Sequence, residues 1–213
     1  MNPALCVIAH PDDLEPQAGG TVARLSQTRE VTVVYLCAPT INGDGLDKDR
    51  EVEAIRAATY LGIVHVEFLR WPAEEVTDDY DHIAVVDRLR KELGANLIIG
   101  HGLDDSQQHH RAAAQIVRTL ARRNRIDLWE MDHSMPAGLV STRPRPNLFV
   151  DVTETYGAKM TAVDCYPSME ARHPGWREGI IARDRYYGFM LNQDGDTGTT
   201  FAEGFVARHS AWF

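Results

Sequence analysis

Two short stretches hold most of the side chains that could do chemistry. One is His10-Pro11-Asp12-Asp13-Leu14-Glu15; the other runs from His101 to Arg111 and contains Asp104, Asp105, Gln107, His109 and His110. Imidazole and carboxylate donors together suit a borderline divalent ion, Zn2+ first, with Fe2+, Co2+ or Mn2+ as alternatives. Adjacent aspartates on a turn can diverge, so that one ligates the ion and its neighbour faces a coordinated water. The ion lowers that water's pKa toward neutrality, and the second carboxylate completes proton removal. A plainer alternative for the first stretch is that Asp12 and Asp13 cap a helix, since turn chemistry alone favours Asp there. The second stretch weighs against it. Two separated His/Asp groups converging on one edge resemble an open metal site rather than a closed structural one. Gly19-Gly20 would let the following helix pack closely on a sheet. The stretch is not a Gly-x-Gly-x-x-Gly loop, so a dinucleotide site gets little support.

The elements that must position these residues are legible as apolar runs. Residues 4–9, 31–37, 64–69, 96–100, 127–131 and 147–151 read as short strands bounded by turn residues. Near-continuous apolarity in three of them suggests strands buried on both faces of a parallel sheet. Helical stripes lie between: Ile83, Val86, Leu89 and Leu93; then Ala113, Ile116, Val117, Leu120 and Ala121. Residues 48–61 carry Val52, Ile55 and Ala58 at threefold spacing and end at Leu61-Gly62, a natural C-cap. A further helix is expected over 153–162, and loops over 135–146 and 192–200. The fold class is therefore α/β, a Rossmann-like three-layer sandwich with a mostly parallel sheet, read as one domain over 1–213. In such folds ligands bind beyond the carboxyl ends of the strands, where both His/Asp stretches fall.

Composition narrows the function further. The chain has 213 residues, with 22 Lys plus Arg against 31 Asp plus Glu, a formal net charge of −9. That balance excludes nucleic acid and anionic membrane as main partners, since both require clustered positive charge. No apolar run approaches the ~20 residues of a spanning helix, and the first residues read as a strand rather than a signal peptide. Cys6, Cys37 and Cys165 are odd in number and form no Cys-x-x-Cys pair, which fits buried free thiols in a reducing cytoplasm. A homo-oligomer is compatible with this composition.

Residues 9–21, AHPDDLEPQAGGT, resemble the AHPDD-x-E-x-x-x-GGT signature of the LmbE-like, or PIG-L, zinc-dependent N-deacetylases. The resemblance continues in order through Arg50-Glu51-Val52-Glu53-Ala54 to Leu61-Gly62, Asp105 to Ala112, Phe149-Val150-Asp151-Val152-Thr153 with Lys159, and Phe201-Ala202-Glu203-Gly204-Phe205. It implies that His10, Asp13 and His110 hold the metal and that Asp12 is the general base. It also implies a small N-acylated substrate, such as an N-acetyl amino sugar or a secondary-metabolite intermediate. Arg50 is then a substrate contact; its plainer role is a helix residue pairing with Glu53 or Asp47.

The chain departs from this pattern at three places. Gln107 stands where the family often has His; an amide can donate a hydrogen bond to an oxyanion but cannot shuttle a proton. His109 replaces the Asp usual before the last His, which puts a second imidazole beside His110. Ala73, after Trp71-Pro72, stands where an acidic residue is expected, so substrate contacts near Trp71 should differ from those of the sugar deacetylases. His133, after the strand at 127–131, could supply the acid missing at Gln107. His65, His82, His173 and His209 carry no site signal, and Trp129, Trp176 and Trp212 read as packing. Gln107 and His109 also admit a different reading, a metal-binding member of lost or changed activity.

Overall fold

A computed structural model describes residues 2–41, 44–123, 126–132, 146–192 and 198–208. Residues 135–145 of the expected loop at 135–146 and most of that at 192–200 lie outside the described residues, as does His133. The sheet contains β1 (Ala4–Ile8), β2 (Val31–Cys37), β5 (His65–Trp71), β6 (Leu97–Gly100), β7 (Asp127–Met131), β8 (Leu148–Asp151) and β9 (Ala202–Arg208). Its order is β5-β2-β1-β6-β7-β9-β8. The first five of these strands run parallel, whereas β9 pairs antiparallel with both β7 and β8. A small antiparallel pair, β3 (Thr40–Ile41) and β4 (Asp44–Leu46), follows β2.

β1, β2 and β6 are fully buried, as their unbroken apolar sequence demands. Alternate residues of β1 face opposite layers. Ala4, Cys6 and Ile8 join one core with helices α1 (Leu14–Ser26), α2 (Lys48–Tyr60) and α5 (Tyr156–Val163); Leu5 and Val7 join the other with α3 (Tyr80–Leu93) and α4 (Gln108–Arg123). The three-layer α/β sandwich expected from the sequence is what forms. Its remaining helices are α6 (Pro167–Arg172) and α7 (Trp176–Leu191). The chain winds outward from β1 through β2 to β5, then returns to β6 on the opposite side. The β1/β6 boundary is therefore the switch point at which such sheets open a crevice. All three cysteines are buried and free.

Two details differ from the sequence reading. On α2 the threefold-spaced Val52 and Ile55 are exposed, and the buried face is Ala54, Ala57 and Ala58 with Arg50 and Glu51. Small side chains win that face because they let α2 and α5 approach. The second difference concerns Gly19 and Gly20, whose close approach is to α5 and the turn before it rather than to the sheet. A Cβ on Gly20 would lie 2.7 Å from Val152 Cβ, and one on Gly19 would lie 3.2 Å from Lys159 Cγ. Gly20→Ala is accordingly expected to lower stability. Overpacking against a buried β-branched side chain costs about 1–3 kcal/mol, more than the ~1 kcal/mol of helix propensity that alanine gains. Thermal denaturation should show a melting temperature several degrees lower; an unchanged value would mean that Val152 can move aside.

The late motif residues pin α1. Glu203 accepts the backbone N–H groups of Gly20 at 2.9 Å and Thr21 at 2.7 Å. Lys159 Nζ donates to Glu203 and to Asp184, each at 2.6 Å, and all three side chains are fully buried. Removing one partner of such a group strands a buried charge. The network thus fixes the helix that begins at Asp13.

Candidate metal centre

His10 and Asp13 leave the end of β1, and His110 lies in the first turn of α4, just after β6. Adjacent parallel strands therefore bring the two sequence stretches together. His10 Nδ1, Asp13 Oδ2 and His110 Nε2 form a near-equilateral triangle: 3.1 Å from His10 to Asp13, 3.2 Å between the histidines and 3.1 Å from His110 to Asp13. Ligand atoms of a tetrahedral ion bound at ~2.0–2.2 Å lie about 3.3 Å apart, so this triangle fits such an ion. Asp13 does not cap α1 with its side chain. Its carboxylate instead accepts the His10 backbone N–H at 3.0 Å and faces the two imidazoles.

The surroundings fix the tautomers. His110 Nδ1 lies 2.9 Å from Asp105 Oδ2, an acceptor, so Nδ1 keeps a proton and Nε2 is the nitrogen that can exchange its proton for an ion at the triangle. His101 is buried beneath, its ring stacked on His110 with 4.1 Å between centroids, and its Nε2 accepts the Ala9 N–H at 3.0 Å. Burial, then the His110 charge, hold His101 down near 3, which keeps it neutral. Against the cost of burial, Asp13 and Asp105 lift His110 to about 9. A site that attracts a proton this strongly attracts a cation by the same field.

Asp12 sits next to the triangle with φ +97°, a left-handed backbone conformation. Its partner is Arg50 Nη1, and Arg50 Nη2 donates to Ser168 Oγ at 2.9 Å. Arg50 is buried and also lies 3.4 Å from Glu53, while its backbone N–H donates to Asp47. Burial and the Asp13 charge raise Asp12 to about 7, against the opposing pull of Arg50 and His10. Asp12 thus carries the properties of a base near neutrality. Glu15 is fully buried, accepts the Tyr166 hydroxyl at 3.0 Å, and is raised by burial to about 8.

The triangle opens on a cleft of about 390 Å3 lined by Asp12, Gln107, His109 and, on the facing wall, Met169, Arg172 and Trp176. Gln107 is exposed at the rim, and its backbone N–H is held by Asp105 at 2.8 Å. Trp71 is not among the lining residues; its indole packs on His82, with 4.1 Å between ring centroids. The aromatic wall comes from Trp176 instead, and His173 also lines the cleft.

The sequence profile of PIG-L, described as GlcNAc-PI de-N-acetylase, matches residues 5–121, more than half the chain and every described site residue from His10 to His110. The chain belongs to the PIG-L family. A diacetylchitobiose deacetylase of Thermococcus kodakarensis is 28% identical over 222 residues, covering 94% of this PIG-L chain and 80% of the relative. Among solved structures, the 4-carboxy-2-hydroxymuconate hydratase GalB of Pseudomonas putida KT2440 superposes with a TM-score of 0.82 at 21% identity, over 100% of this chain and 98% of GalB. The N,N'-diacetylchitobiose deacetylase of Pyrococcus horikoshii gives 0.76 at 17% identity, over 98% and 84%. At such identities the structures establish the shared fold alone. No described helix is long and apolar enough to cross a membrane.

Proposed function

We propose that this PIG-L chain is a divalent-metal-dependent N-deacetylase acting on a small N-acetylated amino sugar or sugar-bearing conjugate. The observation that carries the reading is the His10–Asp13–His110 triangle with Asp12 beside it at the floor of a small-molecule-sized cleft. Those three residues would hold the ion, Zn2+ first, with Fe2+, Co2+ or Mn2+ as alternatives, and it would supply Lewis acidity for amide hydrolysis. Asp12, held by Arg50, takes the proton of the attacking water and returns it to the departing amine nitrogen. Gln107 at the rim can donate an amide hydrogen bond to the acyl oxygen, but it cannot move a proton. Asp12 therefore serves as base and then acid, unless His133 supplies the second proton. Arg50 positions Asp12 and borders the substrate.

The substrate class is supported by the family and by the deacetylase relative, whose substrate is a diacetylated chitobiose. The direct test is amine release from N-acetylglucosamine, N,N'-diacetylchitobiose and N-acetylated glycoconjugates, with metal content measured on the same sample. Time-dependent amine release that stops on chelation and returns with Zn2+ is the expected result. Stoichiometric zinc with no amine release would favour the second reading, a metal-binding member of changed activity. His109 against His10 is the observation on its side.

A further inference from the structure

The two ring nitrogens of His10 serve different neighbours. Nδ1 faces Asp13 and His110, whereas Nε2 lies 3.0 Å from His109 Nδ1. Beside this second pair stands Cys37, the last residue of β2. Its backbone N–H donates to the Ala9 carbonyl at 2.9 Å, which ties the end of β2 to the residue before His10. The thiol is free and buried. His10, Cys37 and His109 each offer one ligand atom, and these atoms lie within 4.8 Å of one another.

We infer that His10, Cys37 and His109 form a second ion site, selective for thiophilic divalent ions, which shares the His10 ring with the first. The donor sets differ in hardness. Two imidazoles and a carboxylate make the first triangle borderline, whereas two imidazoles and a thiolate make the second softer. Cys37 creates the difference, and His109 preserves it, because a carboxylate at position 109 would harden the set. The two nitrogens at 3.0 Å already stand near the spacing that a tetrahedral ion needs, about 3.3 Å. Charge also balances. On binding, the Cys37 thiol proton and the proton on His10 Nε2 pass to solvent, and the resulting thiolate and bridging imidazolate offset the 2+ charge. His10 and His109 line the cleft, so the ion arrives from the side on which substrate binds and obstructs it once there. Excess soft metal is thus an inhibitor of this chain.

The test is a Co2+ titration of the intact chain carrying one equivalent of Zn2+, in buffer free of thiols. A second equivalent should bind with the near-ultraviolet charge-transfer absorption of a Co2+ thiolate and with release of two protons. Amine release, where it is measurable, should fall at least tenfold in parallel. Cys37→Ser and His109→Asp should each abolish the absorption and the second equivalent while keeping the first. His109 is only half-buried, so its variant folds even if the buried Cys37 substitution does not. Saturation at one equivalent, or a second equivalent without thiolate absorption, would overturn the inference. Absorption that survives in His109→Asp would do the same. The inference rests on the deacetylase reading only through His10. The first equivalent is assayed separately in His110→Ala, so failure of that reading and failure of the second site are distinct results.

Discussion

Replacing His110 with alanine is expected to strip the chain of its divalent ion, while His109→Ala leaves the first equivalent bound. The neighbours differ by one residue but occupy different places. His110 is fully buried, with Nδ1 committed to Asp105 and Nε2 at one corner of the triangle. His109 reaches only the far nitrogen of His10. Alanine at 110 removes one of the three proposed ligands and leaves Asp13 buried with less of its compensation, so the loss should exceed the 10–100-fold typical of removing a ligand's hydrogen-bonding partner. Asp105→Asn supplies that smaller loss as an internal scale. The measurement is metal content after dialysis, with circular dichroism to verify that each variant folds. An ion retained in His110→Ala and lost in His109→Ala would assign the triangle to the wrong member of the pair.

How far the sequence reveals this site depends on what holds each residue there. The ends of β1 and β6 are legible because buried parallel strands leave unbroken apolar runs, and the polar residues after them stand out. His10, Asp13 and His110 are brought together as those runs imply. The facing wall is not legible. α6 has six residues, too few for a periodic pattern, yet it contributes Met169 and Arg172 to the cleft, and Ser168 to the grip on Arg50. α7 buries Asp184 against Lys159, so charge falls on its core side and blurs the apolar stripe. Trp71 shows the converse limit. It ends a strand beside the cleft, but its ring is drawn onto His82 and the core under α3, a choice made by packing partners distant in sequence. Arg50 could be read as a surface ion pair or a site residue, and both contacts exist: Glu53 on its own helix and Asp12 in the turn after β1.

Asp12→Asn is expected to keep the ion and to lose turnover by about 10²–10⁴-fold, the span of general-base contributions. The substitution is chosen for its geometry. Asp12 holds φ +97°, and Asn is among the few residues that tolerate the left-handed region, so the turn presenting Asp13 should persist. Asn also preserves an oxygen for Arg50 while removing the ability to accept a proton. Asp12→Ala loses that oxygen as well, so Arg50 is left with Ser168 and Glu53 and the wall of the cleft loosens. Comparing the two variants separates proton transfer from support of Arg50. A fall confined to kcat in Asp12→Asn, with KM rising only in Asp12→Ala, assigns the base to Asp12 and the positioning to its pairing with Arg50. Wild-type kcat in Asp12→Asn, with metal content unchanged, would remove Asp12 from the chemistry. The proton would then have to leave through another group, and His133→Ala becomes the next variant to measure.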